Sequence, residues 1–359
     1  MKKLADAVMH ILEKAVNGER LELNDGIALL ESDQLISIGL AANVVKKRLH
    51  PEPVVTFVID RNINYTNICQ TKCRFCAFYR SENDKDAYVL SHQEIFDKIR
   101  ETIDCGGTQI LMQGGLHPNL PLSFYEDMLK AIKERFDVHI HSFSPPEIFH
   151  FSQISGLSVR VVLQRLRQAG LDSIPGGGAE ILDNRVRKYI SPAKITWEEW
   201  MDVMTTAHEL GMKTTATMMF GSVETLEERV QHMIRVRDAQ DKSGGFRAFI
   251  PWSYQPSNTD LGGQTATGVD YLKTLAVSRL LLDNVPNIQA SWVTQGAKMA
   301  QVSLCFGAND FGGTMLEENV VRAAGISHRV PIDEIIGSIK DAGYKPAQRN
   351  TGYEIIKYY

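Results

Sequence analysis

The residues with the clearest chemical meaning are three cysteines that lie close together in the chain. Cys69, Cys73 and Cys76 are three of its five cysteines and follow the spacing Cys-x3-Cys-x2-Cys. Thiolates are the usual ligands of a 4Fe-4S cluster, and a cluster held by only three of them keeps one iron open to a ligand that is not protein. The spacing therefore predicts a 4Fe-4S cluster whose open iron takes part in chemistry.

Three other interpretations of this segment are weaker. A structural zinc site needs four Cys or His ligands in two groups, and neither Cys105 nor Cys305 belongs to a second pair. A disulfide is disfavoured because the thiols are clustered and odd in number, which suits a reducing compartment. An electron-transfer ferredoxin normally has a fourth cysteine near the other three. Cys105 and Cys305 have apolar neighbours and are predicted to be core residues.

The composition indicates a globular enzyme and excludes several other classes. The chain has 359 residues, of which 43% are hydrophobic and 23% are charged, with a formal net charge of -4. No run of Lys and Arg dominates, so we expect no nucleic-acid partner. No apolar stretch approaches the roughly 18 residues that span a bilayer, and the N-terminus has the pattern of an amphipathic helix rather than a leader. We expect a cytoplasmic protein without a membrane partner and with a small-molecule substrate.

Alternating strands and helices follow a helical N-terminal lead-in. Residues 1–50 carry the apolar spacing of helices and end at Pro51 and Pro53. Residues 51–359 predict an α/β fold, a parallel (β/α)8 TIM-like barrel with a C-terminal helical extension. An open doubly wound sheet is disfavoured because no dinucleotide glycine fingerprint follows the first strand. The predicted strands are 54–59, 108–112, 138–143, 171–174, 213–219, 246–250, 288–293 and 302–306, with helices at 91–104, 122–136, 159–170, 196–211 and 225–240.

In such a barrel the active site lies in the loops that follow the carboxyl ends of the strands. The cysteine loop follows the first strand, and after the second comes a turn in which Gly114 and Gly115 let backbone groups approach a ligand closely. After the third strand, Ser144 offers a hydroxyl donor. His139 and His141 alternate onto one face of that strand, and packing explains them at least as well as catalysis does.

The later strand ends supply the remaining candidates. Glu180 follows a triple-glycine turn that lacks the ending of a P-loop, and it is either a ligand for cofactor hydroxyl or ammonium groups or a helix N-terminal carboxylate. Aromatic and amide side chains beside glycine turns suit a pocket for a partly aromatic, neutral-to-anionic substrate. The candidate substrate-binding residues are Arg80, Arg247, Trp252, Gln255, Gln295 and Asn309.

The cysteine spacing, with Phe75 just before the last cysteine, resembles the signature of the radical S-adenosylmethionine (SAM) superfamily. The resemblance implies that the open iron binds the amino-acid end of SAM and that a 5′-deoxyadenosyl radical takes a hydrogen atom from the substrate. Leu116 stands where the superfamily's Gly-Gly-Glu motif often has an acidic residue, so the two glycines would act through backbone carbonyls. The residues to which the resemblance gives a cofactor role are Phe75, Phe78, Tyr79, Gly114, Gly115, Ser144 and Glu180.

Residues 170–182, Gly-Leu-Asp-Ser-Ile-Pro-Gly-Gly-Gly-Ala-Glu-Ile-Leu, are similar to one narrower family, the cyclic dehypoxanthinyl futalosine synthases of the futalosine route to menaquinone. This resemblance implies hydrogen abstraction from C4′ of dehypoxanthine futalosine and radical addition to its benzoate ring, with loss of one electron and one proton. The proton requires a base, for which His117, Glu180 and Asp310 are candidates. A cation should face the benzoate carboxylate, either Arg247 or Arg80. A reducing donor such as flavodoxin or ferredoxin is the expected protein partner.

Two kinds of alternative stay open. Aminofutalosine synthase and the radical proteins of deazaflavin synthase share the cluster motif and the barrel, and would act on other substrates. A non-catalytic iron-sulfur or zinc protein would use the same cysteines for electron transfer or structure.

Overall fold

The computed structural model describes residues 2–359, with side chains described from residue 7 onward. Three helices come first: α1 (Lys2–Asn17), α2 (Leu23–Glu31) and α3 (Leu35–Leu49). They pack closely on later parts of the chain. A Cβ added to Gly26 in α2 would lie 2.7 Å from the side chain of Val230, and one added to Gly39 in α3 would lie 2.5 Å from the ring of Phe306. The division of the chain at residue 50 stays a prediction.

The next part of the chain alternates between strands and helices. Its first half comprises β1 (Val54–Val58), β2 (Asp60–Ile63), α4 (His92–Asp104), β3 (Gln109–Met112), α5 (Leu122–Lys133), β4 (His139–Ser142), α6 (Pro145–Ser155), α7 (Val159–Ala169), α8 (Asn184–Ile190) and α9 (Trp197–Glu209). Its second half comprises β5 (Thr214–Phe220), α10 (Leu226–Ser243), β6 (Phe246–Ser253), α11 (Gly268–Leu281), β7 (Asn287–Ile288), α12 (Trp292–Gln295), α13 (Ala297–Ser303) and β8 (Asp310–Gly313).

The strands close into a barrel in which neighbours run parallel. The ladders are β2-β3-β4, β5-β6-β7 and β1-β8, with β1 and β2 continuing one another. Single bridges join the ladders: His141 to Ser173, Ile174 to Thr214, and Gln289 to the first residue of β8. Residues 173–174 are therefore the fourth strand position. The predicted eight-stranded parallel barrel is confirmed, and it brings the ends of all eight strands to one mouth.

Two predicted strands are wrong in position. Residues 302–306 lie at and beyond the end of α13, and the last barrel strand is β8, while β7 ends at Ile288 and α12 begins at Trp292. The sequence Asp-Phe-Gly-Gly of β8 has no strand-like apolar alternation. Gly313 explains part of this, because a Cβ there would lie 2.4 Å from a carboxylate oxygen of Asp60. Close packing of this kind removes the side chain that would have marked the strand.

The C-terminal segment adds a strand pair to the base of the barrel. After α14 (Val320–Ala323) and α15 (Ile332–Asp341), β9 (Lys345–Arg349) pairs parallel with β1, and β10 (Ile355–Tyr358) pairs antiparallel with β9. The helical extension stays a prediction as a unit of the chain, and the hairpin was not predicted. The side chain of Gln348 donates to the carbonyl of Gly106, and that of Thr351 to Gln109. The hairpin thus lies against the amino-terminal end of the barrel.

Several helices begin at capping boxes, which fix the loops that precede them. Ser91 and Glu94 form such a box at α4, and Ser144 and Glu147 form another at α6. In each, the serine oxygen and the glutamate satisfy N–H groups of the first turn that have no helical partner. Among the described residues, no helix has both the length and the apolar character needed to cross a bilayer.

Candidate radical SAM active site

The cysteine loop leaves the barrel after β2 and is held as a closed turn by its own backbone. Cys69 N–H donates to the carbonyl of Arg80 at 3.0 Å, and Arg80 N–H donates to Asn67 at 2.8 Å. The Arg80 guanidinium donates through Nη1 to the carbonyls of residues 77–79, at 2.8 to 3.3 Å, and through Nε to Asp86 at 2.6 Å. Arg80 therefore fixes the loop rather than facing a substrate, which corrects its prediction as a carboxylate partner.

The three predicted ligand cysteines are brought together around Thr71. The Cys69 and Cys73 sulfurs lie 3.0 and 3.6 Å from the same Thr71 hydroxyl oxygen, and Cys76 N–H donates to the Cys73 carbonyl at 3.0 Å. All three thiols are free. Burial raises the pKa of Cys73 to about 11 and also raises the pKa of Cys76. The Cys73 and Cys76 thiols must therefore lose their protons when they bind a metal, and metal binding stabilises the thiolates.

This donor set fits a 4Fe-4S cluster. Within the described chain, no three His, Cys, Asp or Glu side chains are arranged to hold one metal ion. A cluster makes no such demand, because each thiolate binds a different iron of the cube. The other two cysteines do not join the set: Cys105 and Cys305 are exposed, so their prediction as core residues is wrong.

The double-glycine turn packs directly beneath the cysteine loop. A Cβ on Gly115 would lie 2.2 Å from the carbonyl oxygen of Ile68 and 2.8 Å from the Cβ of Cys69. A Cβ on Gly114 would lie 2.5 Å from the ring of Tyr65. Only glycine permits contacts this close, so the turn packs at a fixed distance from Cys69, the first predicted cluster ligand.

Glu147 anchors this turn from below, and sequence reasoning gave it no role. Its Oε1 accepts hydrogen bonds from the Tyr65 hydroxyl at 2.5 Å and Gly114 N–H at 3.0 Å, while its Oε2 accepts from Ser144 N–H at 2.7 Å and the Ser144 hydroxyl at 2.6 Å. Burial raises the pKa of Glu147, and these four donors act against that rise. The Ser144 hydroxyl donates its proton to Glu147, so Ser144 orders the turn. Its role as a cofactor donor stays a prediction.

Glu180 lies at the junction of the cluster loop and the barrel interior. Its Oε1 accepts from Lys194 at 2.9 Å, its Oε2 lies 3.5 Å from Arg187, and its backbone has a φ of 41°. The Lys194 ammonium lies 5.2 Å from the centre of the Phe75 ring. Its positive charge also lowers the pKa of Cys73 against the larger effect of burial. The Lys194 cation thus lies beside the predicted cluster ligands, and it contacts both Phe75 and Glu180, two predicted cofactor residues.

A cavity of about 270 Å³ occupies the barrel interior next to Glu180. Its wall combines polar and aromatic side chains from most strand ends, among them Asp60, Asn62, Gln113, His141, Glu180, Thr217, Trp252, Ser291, Glu318 and Arg349. The Asn62 amide oxygen is buried and has no hydrogen-bond partner in the described structure. A buried acceptor without a partner is costly, so this oxygen is available to a ligand donor.

The structure divides the other predicted site residues between the cavity and the barrel wall. Trp252 lines the cavity. Gln255 and Gln295 both donate to Ser253, and His117 accepts from the backbone of Asn119 at 3.1 Å. None of these three lines the cavity.

Three further predictions need correction. Arg247 and Asn309 lie at the amino-terminal ends of β6 and β8, on the side opposite the mouth, where Arg247 donates to the Thr351 carbonyl and Asn309 accepts from Arg279. Asp310 is fully buried in a bidentate ion pair with Arg349, at 2.5 and 3.0 Å. Its oxygens are occupied, so it is a structural anion rather than a base that faces a substrate.

Comparisons with known proteins agree with this site. The profile of the radical SAM superfamily matches residues 63–236, and that of the CofH/MqnC C-terminal region matches residues 243–358. The X-ray structure of the FeFe-hydrogenase maturase HydG from Carboxydothermus hydrogenoformans superposes with a TM-score of 0.77 at 17% identity, over 98% of this chain and 82% of that one. This likeness concerns the fold.

Relatives with higher identity define the family. Cyclic dehypoxanthine futalosine synthase of Halalkalibacterium halodurans is 54% identical over 97% of this chain and 94% of its own length, and that of Streptomyces coelicolor is 46% identical over 96% and 88%. A 5-amino-6-(D-ribitylamino)uracil--L-tyrosine 4-hydroxyphenyl transferase of Methanosarcina mazei is 44% identical over 96% and 92%.

The fold, the three-cysteine loop and these matches define a radical SAM enzyme, which uses a 4Fe-4S cluster and SAM. The predicted superfamily and cofactors are confirmed. Within the superfamily, the chain belongs to the family of the cyclic dehypoxanthine futalosine synthases.

Proposed function

We propose that this enzyme converts dehypoxanthine futalosine to cyclic dehypoxanthine futalosine in menaquinone biosynthesis. The observation that carries the proposal is a polar and aromatic cavity in the barrel interior, in a chain 54% identical to a protein named for that reaction. The cavity is connected to the cysteine loop through Glu180, which lines it and binds Lys194 beside the Phe75 ring. When bound, the cluster and SAM supply a carbon radical that removes the hydrogen at C4′ of the ribose. The residues of this chain then decide which atoms the substrate radical meets.

The cluster and SAM are proposed to be held by the segments that meet at the mouth. Cys69, Cys73 and Cys76 supply the cluster ligands. The Gly114–Gly115 turn, which packs against Tyr65 and Ile68 because it has no side chains, is proposed to bind the SAM ammonium group through its backbone carbonyls. The other proposed SAM contacts are Phe75, Phe78, Tyr79, Ser144 and Glu180.

The cavity is proposed to hold the ribose and the benzoate ring in contact. Ring closure needs the two reacting carbons within van der Waals distance, so a wall that restricts the rotatable bonds of the substrate lowers the entropic part of the barrier. Trp252 offers an aromatic face, and Asn62 offers a buried acceptor with no other partner.

The benzoate carboxylate is proposed to meet neutral donors in this cavity. Arg349 is the only Lys or Arg among the residues that line it, and its guanidinium is engaged by Asp310. Thr215 and Ser291 line the same wall and offer hydroxyl groups, whereas the Thr217 hydroxyl donates to the Gly176 carbonyl at 2.7 Å. Hydroxyl donors can orient a carboxylate without the cost of burying another full charge.

Of the three predicted bases, only Glu180 lines the cavity. Its carboxylate already contacts two cations, Lys194 at 2.9 Å and Arg187 at 3.5 Å, so both of its oxygens are engaged. We further propose a flavodoxin or ferredoxin as the electron donor and a cytoplasmic location, where reducing conditions keep the cluster thiols free.

The test is an anaerobic assay of reconstituted, reduced protein with SAM and dehypoxanthine futalosine. We expect a product two hydrogen atoms lighter than the substrate, formed with 5′-deoxyadenosine, and no product with Cys73→Ala. A parallel assay supplies L-tyrosine and 5-amino-6-(D-ribitylamino)uracil, the compounds named for the Methanosarcina relative. Turnover of that pair, without turnover of dehypoxanthine futalosine, would refute the proposed reaction.

A further inference from the structure

The floor of the barrel separates the cavity from a second, open pocket on the opposite side. His141 lines the cavity, whereas His139, two residues earlier on β4, lines the second pocket together with Asp137 and Arg247. Alternate residues of a strand point to the same face, so the two imidazoles lie one above the other along the barrel interior. One strand thus carries a histidine to each side of the floor.

A single hydroxyl connects these two imidazoles. His141 Nδ1 lies 2.7 Å from the Ser173 oxygen, and His139 Nε2 lies 2.7 Å from the same oxygen. Ser173 is at the fourth strand position, and its backbone is bridged to His141. A hydroxyl can donate one hydrogen bond and accept another at the same time. The three side chains therefore form a continuous hydrogen-bonded chain from the cavity to the open pocket.

We propose that His141, Ser173 and His139 form a proton relay that carries the proton lost during ring closure out of the cavity. The inference rests on the proposed function, because cyclisation of the substrate must release one proton and one electron. It assigns the proton acceptor to His141, which sequence analysis left between packing and catalysis. None of the three relay residues is among the predicted bases.

Ring closure releases one proton and one electron, and each has an acceptor. Addition of the C4′ radical to the benzoate ring leaves a ring radical whose carbon at the new bond still carries hydrogen. Breaking that C–H bond gives the proton to His141 Nε2, and the odd electron passes to a one-electron acceptor of the iron-sulfur class, which restores the aromatic ring. His141 Nδ1–H moves to Ser173, the Ser173 proton moves to His139 Nε2, and the proton on His139 Nδ1 leaves through the open pocket.

The electrostatic surroundings favour transfer through the chain over storage of charge on either ring. Burial, with smaller contributions from His139, Arg247 and Arg349, lowers the pKa of His141 to about 3. Burial also lowers the pKa of His139 to about 4, with Arg247 and Lys133 acting in the same direction and Asp172 against it. Both imidazoles are therefore neutral at rest. A relay suits this environment, because each ring gives up a proton as it accepts one.

The test compares Ser173→Ala, which removes the bridging hydroxyl, with Ser243→Ala. Ser243 is a matched control, because its hydroxyl also lies 2.7 Å from an imidazole, that of His208 on α9, outside the cavity. The readout is the ratio of cyclic product to 5′-deoxyadenosine, which reports what happens after hydrogen abstraction. We expect Ser173→Ala to lower this ratio at least tenfold, within the range of a lost general base, and Ser243→Ala to leave it unchanged.

A second variant separates the relay from a packing role. His139→Ala should also lower the ratio, and added imidazole should restore it, because the open pocket admits a small base in place of the ring. Imidazole should not rescue Ser173→Ala, because the missing hydroxyl lies inside the barrel wall and not in the open pocket. A wild-type ratio in Ser173→Ala, or no rescue of His139→Ala, overturns the relay. If the wild-type enzyme yields no cyclic product at all, the proposed function itself fails, and that result is visible before any variant is compared.

Discussion

Replacing Glu147 gives the sharpest test of how the double-glycine turn at Gly114 and Gly115 is held in place. Both of its carboxylate oxygens accept two hydrogen bonds in a fully buried position, from Tyr65, Gly114 and twice from Ser144. Glu147→Gln keeps the shape of the side chain and replaces one oxygen by an NH2 group that cannot accept. Whichever way the amide is turned, one backbone N–H, that of Gly114 or of Ser144, then faces another donor.

The loss of stability in Glu147→Gln follows from that one backbone N–H group. The two hydroxyls can rotate toward other acceptors, but a backbone N–H cannot, and a buried donor left without a partner costs about 1–3 kcal/mol. We therefore expect Glu147→Gln to lower the free energy of unfolding by about 1–3 kcal/mol, measured by urea denaturation. SAM should also bind more weakly, measured by isothermal titration, because the Gly114 turn loses its anchor.

Glu94→Gln is the matched control. Glu94 has the same place in the capping box of α4, but it is exposed, and only its Oε2 accepts hydrogen bonds, both from Ser91. The amide oxygen of glutamine can turn to that position, so we expect no measurable change in the free energy of unfolding. Equal losses in the two variants would refute the reasoning, since the effect would then belong to helix capping and not to the buried anchor.

The remaining predictions concern the cluster. Gly115→Ala should lose at least half of the bound iron and sulfide, measured by chemical analysis and absorption, because its Cβ would lie 2.2 Å from the Ile68 carbonyl oxygen. The control is Gly337→Ala in α15, where a Cβ would meet no described atom within 4 Å; this variant should keep the cluster and gain about 0.5–1 kcal/mol of stability. Full cluster content in both variants would contradict the close-packing argument. Alanine at any one of Cys69, Cys73 or Cys76 should abolish 5′-deoxyadenosine formation, whereas the exposed Cys105→Ala should not; an equal loss at Cys105 would mean that the ligand set is wrong.

Local patterns in the sequence predicted the parts of the site that are built locally. The cysteine spacing lies within one loop, and the glycine pair lies within one turn. The capping box of Ser144 and Glu147 follows a local Ser-x-x-Glu pattern, which sequence analysis did not use. That Glu147 also accepts from Tyr65 and Gly114 depends on contacts between three strand ends, which no local spacing encodes.

Position within a strand explains two of the errors. Arg247 is the second residue of β6, and Asn309 comes just before β8, so both lie at the amino-terminal end of the barrel. The rule that places catalysis at the carboxyl ends excludes them once the strand bounds are known. Strand β9 escaped prediction for another reason: its buried Gln348 and Arg349 are polar, and each is satisfied by a partner distant in the sequence.

The two matched family regions divide the site in a way that bears on specificity. Residues 63–236 contain the cysteine loop, the glycine turn and Glu180, which are proposed to bind the cofactors. Residues 243–358 contain Trp252, Ser291 and the C-terminal residues that line the cavity floor. Relatives named for different reactions share more than 40% identity with this chain. The choice of substrate must then depend on the cavity wall, to which the second region contributes the aromatic face and the floor. Exchange of β9 and β10 between such relatives would change the shape of the floor without touching a cluster ligand.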